Sequence, residues 1–202
     1  MTRRFTLAFD YLCPFARNTN EHVTAALRAG ADWQVRFAPY SLAQGHVEEG
    51  EPPVWEREQP LEVSGLLALA AGVAVRDTAP ERFLDAHDAL FAARHEHGRD
   101  LKDPAVVAAA LRDAGVDPEP ILAAVEQGDV LATVRTEHEA LVADHAVWGV
   151  PTFATEARAV FVRLLERPHA DPAVTRGRIE QVLDLVDGHT VLHEFKQTDL
   201  PL

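Results

Sequence analysis

Arg3-Arg4-Phe5-Thr6-Leu7-Ala8-Phe9-Asp10-Tyr11-Leu12-Cys13-Pro14-Phe15-Ala16 is the stretch on which the fold turns. Phe5, Leu7 and Phe9 fall on one face and Thr6 and Ala8 on the other, a period-two pattern that predicts a strand over 3–9. Cys13-Pro14 then opens a helix to about Ala29, with Val23, Ala26 and Leu27 as apolar positions and Gly30 as the stop signal. Pro14 suits the first helical turn, where a missing N–H costs nothing. Trp33 to Ala38 alternates again. The three elements make a β-α-β unit, for which a right-handed parallel crossover is the default.

Beyond this unit, Gln44 to Pro60 holds Gly45, Gly50, Pro52, Pro53 and Pro60 among acidic residues and reads as a loop or linker. Helical spacing follows over Leu61–Val73, Pro80–His95, Pro104–Ala114, Pro118–Gln127 and Val130–Val147, with no strand between. We expect an all-helical insertion over 61–129, with residues 1–60 and 130–202 forming one discontinuous α/β domain. Strand character returns at Gly149-Val150-Pro151-Thr152-Phe153 and at Ala159-Val160-Phe161-Val162-Arg163, close enough for an antiparallel hairpin. Asp171 and Pro172 lead into a last helix ending near Asp187-Gly188, and Thr190–Phe195 is expected to add a short tail strand. No internal repeat or low-complexity segment interrupts the order β-α-β, helices, β-β-α.

The 202 residues, 47% hydrophobic and 25% charged, have globular composition. Nineteen basic against thirty-two acidic residues give a net charge of −13, which repels phosphate backbones and anionic lipid and argues against nucleic-acid and membrane-surface partners. No stretch approaches the roughly 20 apolar residues of a membrane span. The N-terminus begins like a signal peptide, but Asp10 interrupts the apolar run and no cleavage site follows, so a strand in a cytoplasmic protein is expected. The single cysteine, Cys13, excludes an intramolecular disulfide.

Two sites carry chemistry. Cys13 stands at a strand-to-helix junction, where unpaired helix N–H groups and the positive end of the dipole favour thiolate over thiol. Cysteines so placed have pKa values lowered from about 8.5 to between roughly 3.5 and 7.5. We expect a reactive thiol here; the bland alternative is a buried, inert cysteine. The second site is Val150-Pro151, a candidate cis peptide, a form that only about 5–6% of X-Pro bonds adopt.

Phe9-Asp10-Tyr11-Leu12-Cys13-Pro14-Phe15-Ala16, the helical block and Gly149-Val150-Pro151-Thr152-Phe153 together resemble the DsbA-type branch of the thioredoxin fold, over essentially the whole chain. The resemblance implies an α/β thioredoxin-like fold in which Pro151 lies beside Cys13 and the Val150 backbone can pair with an extended substrate. It implies a thiol–disulfide oxidoreductase with Cys13, Pro14 and Pro151 as catalytic positions and Phe15, Trp148, Val150 and Thr152 on the substrate side. The family's redox enzymes carry Cys-X-X-Cys, and here Ala16 replaces the second cysteine. A dithiol cycle within one chain is therefore impossible, and an external thiol must release any mixed disulfide. Glutathione, mycothiol or a similar small thiol is the natural supplier; no tightly bound cofactor is expected. Branches resembling kappa-class glutathione transferases and chromene-carboxylate isomerases also lack the second cysteine but usually place Ser at the first position. Two alternatives stay open: a thiol-cofactor-dependent transferase or isomerase, and a non-catalytic binding or chaperone-like protein. A homodimer through Cys13 would need an exposed thiol on both subunits.

Ten histidines raise the question of a metal, with His87, His95 and His97 nearest one another. No metal-binding spacing accompanies them, so we expect surface histidines and no metal site. Asp85 and Asp88 read as a solvated helix face. Tyr11 and Phe153, with Phe15 and Trp148, are candidates for an apolar groove or for the core. Arg17 is expected to be solvent-exposed, and nothing in the sequence gives Arg163 or Arg167 a role.

Overall fold

The computed structural model describes residues 2–156 and 158–194. Strand β1 (Arg3–Phe9), helix α1 (Pro14–Arg28) and strand β2 (Trp33–Pro39) come first. A short helix α2 (Leu42–Gly45) precedes five longer ones, α3 (Leu66–Thr78), α4 (Phe83–His95), α5 (Pro104–Asp113), α6 (Pro118–Glu126) and α7 (Asp129–His145). Strands β3 (Thr152–Ala154) and β4 (Ala159–Phe161) and helix α8 (Pro172–Gly188) complete the chain. The sheet runs β2-β1-β3-β4, with β1 parallel to β2 and antiparallel to β3, and β3 antiparallel to β4. This is the thioredoxin-like α/β arrangement, with its helical block inserted between β2 and β3.

The odd positions of β1 make the aromatic face. Phe5 packs against Trp33 (ring centroids 6.0 Å apart) and Phe153 (5.7 Å), while Phe9 meets the His87 ring of α4 at 4.6 Å. Helix α1 packs against α8 and α4, and α7 packs against α3 and β2. Burying each of these large apolar side chains contributes roughly 1.5–3 kcal/mol. Gly72 on α3 is required by close approach, because a Cβ there would collide with the Tyr11 hydroxyl.

Several boundaries depart from expectation for identifiable reasons. The helix expected over Leu61–Val73 starts at Leu66, because Gly65 adopts φ +88° and Pro60–Glu62 closes a separate 3-10 turn. Pro80–Arg82 likewise forms a 3-10 turn ahead of α4, and the expected 44–60 loop is partly ordered by the end of α2 and a 3-10 turn at Val54–Glu56. The hairpin forms with shorter strands than expected. Residues 190–194 form no tail strand; Phe195, the last residue of that expectation, lies outside the described residues. Arg158 instead donates to the carbonyls of Leu185 (2.9 Å), Val186 (2.9 Å), His189 (2.7 Å) and Leu192 (3.3 Å), capping α8 and tying its end to the start of β4.

Candidate active site

Three later helices begin with Asp-Pro, and α1 begins with Cys-Pro in the same local geometry. Asp103, Asp117 and Asp171 are N-caps with extended backbone angles and carboxylates accepting a first-turn N–H. Cys13 takes that position with φ −88° and ψ 118°, and the Ala16 N–H donates to its Sγ at 3.3 Å. A neutral thiol is a weak acceptor, whereas a thiolate gains from the amide and from the dipole. The cap therefore favours the ionised form.

The turn leading to Cys13 is anchored on both sides. The buried Asp10 carboxylate accepts from Leu12 N–H (2.9 Å) and from Leu42 N–H (2.8 Å), tying the turn to α2. Tyr11 is fully buried: its carbonyl accepts from His95 Nε2 (2.9 Å), and its hydroxyl bonds His87 Nδ1 (2.9 Å). His87 Nε2 meets Asn20 Oδ1 (2.9 Å), and Asn20 Nδ2 donates to the Ala16 carbonyl (2.7 Å). With Asn20 so oriented, His87 donates from Nε2 and accepts the Tyr11 proton at Nδ1. Burial pushes His87 down to about 3, so the ring is neutral and this donor assignment holds at neutral pH.

The second half of the site arrives on the segment between α7 and β3. The Val150–Pro151 peptide bond is cis, and the Cys13 thiol donates to the Val150 carbonyl at 3.3 Å. Thr152 is buried; its hydroxyl donates to Gly149 O at 2.7 Å and so shapes this segment rather than facing outward. Pro151 O accepts from Val162 N–H at 3.0 Å.

Trp148 is 72% exposed and stacks against Phe161 at 4.7 Å, so it is not part of the core. Phe15 is half-buried at the first turn of α1, under the Arg163 guanidinium at 5.2 Å. Tyr11 and Phe153 are core residues and line no groove. The structure thus brings together Cys13, Pro14, Phe15, Val150 and Pro151, while Trp148 lies against Phe161 and Thr152 against Gly149.

Four expectations are corrected. The Cys13 thiol is not lowered: at 7% exposure, burial pushes it above its ordinary value, and the Asp10 charge adds to that. The Ala16 and Phe15 amides and the Arg163 charge act in the opposite direction and are outweighed. His87 is a core side chain rather than a surface one. Asp88 is not simply solvated, since it accepts from Thr24 (3.1 Å) and pairs with Arg28 (2.5 Å). Arg17 is also not open to solvent; it pairs with Glu21 (2.9 Å) and Glu96 (2.6 Å), and Arg167 reaches the same two carboxylates. With the Asn18 bond to Leu164 O (3.0 Å), this cluster ties the chain after β4 to α1.

Arg163, like Arg167, is a residue that the sequence left without a role. Its only signal there is a basic residue at the end of a strand-like segment. Cys13 is a free thiol, 7% exposed. Among the described residues no group of three or more His, Cys, Asp or Glu is placed to hold a metal ion, and no helix is long and apolar enough to cross a membrane.

Residues 6–165 match the family described as the DSBA-like thioredoxin domain. An uncharacterized protein of Mycobacterium tuberculosis is 31% identical over 168 residues, covering 82% of this chain and 70% of its own. Among solved structures, a probable DsbA oxidoreductase from Streptomyces coelicolor superposes with a TM-score of 0.63 at 16% identity, covering 96% of this chain and 94% of that one. BdbD from Bacillus subtilis, in its oxidised form, does so with a TM-score of 0.61 at 15% identity, covering 92% and 88%. At those identities the structural likeness carries the fold alone.

Proposed function

This chain belongs to the DSBA-like thioredoxin domain family, and on that premise we propose that it is a thiol–disulfide oxidoreductase working through Cys13 alone, with an external small thiol as resolving partner. One observation carries this reading. The only cysteine in the sequence has its Sγ between the Ala16 N–H and the Val150 carbonyl, 3.3 Å from each. The thiol rests against the carbonyl as a donor. Once its proton leaves, the sulfur keeps the amide as donor and faces the segment through which an extended substrate would pair.

In the forward step the Cys13 thiolate attacks one sulfur of a substrate disulfide. The new Sγ–S bond forms as the old S–S bond breaks, and the departing thiolate takes a proton from water. Ala16 supplies no second thiol, so the mixed disulfide persists until a small thiol such as glutathione or mycothiol attacks it and regenerates Cys13. Pro14 starts the helix that points its amides at the sulfur, and Phe15, Trp148 and Val150 form the substrate side.

A second reading, a non-catalytic binding protein on the same fold, is favoured by one observation: the Cys13 thiol is only 7% exposed, and burial pushes it up rather than down. The pH dependence of iodoacetamide alkylation separates the two. A raised but accessible thiol gives slow labelling at pH 7 that climbs steeply above about pH 8.5, the ordinary cysteine value, and is blocked by prior reaction with a substrate disulfide. Labelling that stays negligible up to pH 10 in the folded protein, yet is immediate in the unfolded chain, would select the binding protein.

A further inference from the structure

Arg17 and Arg167 are both committed to Glu21 and Glu96, whereas Arg163 makes no ion pair among the described residues. Its guanidinium is nonetheless fixed, lying over the Phe15 ring at 5.2 Å and the Phe161 ring at 5.9 Å. Phe15 belongs to the first turn after Cys13, and Val162, next to Arg163, bonds the Pro151 carbonyl. Arg163 therefore stands where the two halves of the site meet. Stacking on aromatic faces holds a guanidinium while leaving its in-plane N–H donors available, the geometry that suits a carboxylate. Elsewhere the chain's charge of −13 disfavours anions. Arg4, Arg57, Arg82, Arg94, Arg99 and Arg112 are also exposed with no ion pair among the described residues, but Arg163 differs from them in being seated on two aromatic rings beside the site.

We infer that Arg163 is the carboxylate-binding group of this site, and that the small thiol or disulfide exchanging with Cys13 carries a carboxylate a few atoms from its sulfur. The inference rests on the oxidoreductase reading and adds to it the charge class of the co-substrate, which favours glutathione over mycothiol, a thiol without a carboxylate. Phe161 and the exposed Trp148 beside it offer an aromatic surface for the rest of such a molecule. The exchange step is unchanged: Sγ–S forms, S–S breaks, and the departing half leaves as a thiolate that water protonates. Arg163 acts by holding the incoming half.

The test compares two disulfides with one skeleton, those of N-acetylcysteine, with one carboxylate per half, and of N-acetylcysteinamide, with none. Formation of the Cys13 adduct is timed by intact mass on the full chain. Each rate is divided by that of the same disulfide with the urea-unfolded chain, which removes intrinsic reactivity. The wild-type protein should then favour the carboxylate disulfide by about fivefold, the upper range for an exposed ion pair. Arg163→Gln should bring the ratio to one or below, as the acidic surface repels the anion, and Arg163→Lys should fall between. An arginine that merely stabilises the thiolate, or merely packs, would change both rates together and leave the ratio untouched. The inference is overturned if the amide reacts as fast in the wild type, or if Arg163→Gln preserves the preference. If neither disulfide modifies folded Cys13, the oxidoreductase reading itself fails, an outcome distinct from loss of preference.

Discussion

Cys13→Ser should abolish thiol–disulfide exchange, leaving only the rate set by small thiols in the buffer, while the protein folds and melts at or above the wild-type temperature. Loss is complete because the sequence contains no other thiol to substitute. Stability is kept because position 13 is a helix N-cap, where Ser is among the preferred residues and a hydroxyl accepts from the Ala16 N–H better than a thiol does. The pairing of these outcomes matters: a fall in activity with a matching fall in melting temperature would show only that the variant had lost its fold. Turnover of a fluorescent disulfide and a thermal melt on the same preparation check both. Unchanged turnover in Cys13→Ser would overturn the assignment of the nucleophile.

The second large effect is acid destabilisation driven by buried histidines. Burial lowers His87 to about 3 and His138 to about 4, against an ordinary value near 6.5. Both are buried, with His87 held by Tyr11 and Asn20 and His138 accepting from Ser41 N–H at 3.1 Å. Below pH 6.5 the unfolded chain takes protons that the folded chain refuses, so stability falls as pH drops from 6.5 towards the folded values. At about 1.36 kcal/mol per pH unit this costs about 5 kcal/mol for His87 and about 3 kcal/mol for His138.

Asp10 has the opposite sign. Burial raises it to about 6 from 3.8, so the folded state binds its proton first and gains about 3 kcal/mol as pH falls through that window. The net loss between pH 6.5 and 3 is then about 5 kcal/mol, comparable with the total stability of many domains. His22 and His95 are also lowered by burial and add to the loss, while Asp88, raised by burial, acts with Asp10 in the opposite direction. Urea unfolding at pH 7 and pH 4 should show it as a clear fall in midpoint, and roughly one proton should be taken up on unfolding near pH 5. Stability that is flat or rising over that interval would contradict the buried, neutral state of His87.

The sequence made the fold legible where two levels of pattern agreed. Alternation in Phe5–Phe9, the Cys13-Pro14 helix start and the Gly149–Phe153 segment all report local geometry, and the structure puts them at one end of the sheet. What the sequence hid depended on contacts between distant segments. His87 looked like a surface residue because a helix of alternating charge and alanine gives little sign of which face is buried. Its partners Tyr11 and Asn20 lie 76 and 67 positions away. The Cys13 thiol was expected low because the dipole is a local effect visible in sequence. The burial that outweighs it comes from the tertiary fold, as do the Val150 carbonyl and the Asp10 charge. Arg163 escaped notice for the same reason, since its aromatic seat is built from residues 15 and 161.

The central claim, one nucleophilic thiol resolved from outside, is tested most directly by intact mass spectrometry of the reduced, folded protein mixed with glutathione disulfide at pH 8. A single mixed-disulfide adduct is expected on Cys13, stable until glutathione or another small thiol is added and then lost with return of the free thiol. No adduct on the folded protein, under conditions where the unfolded chain is modified at once, would contradict it.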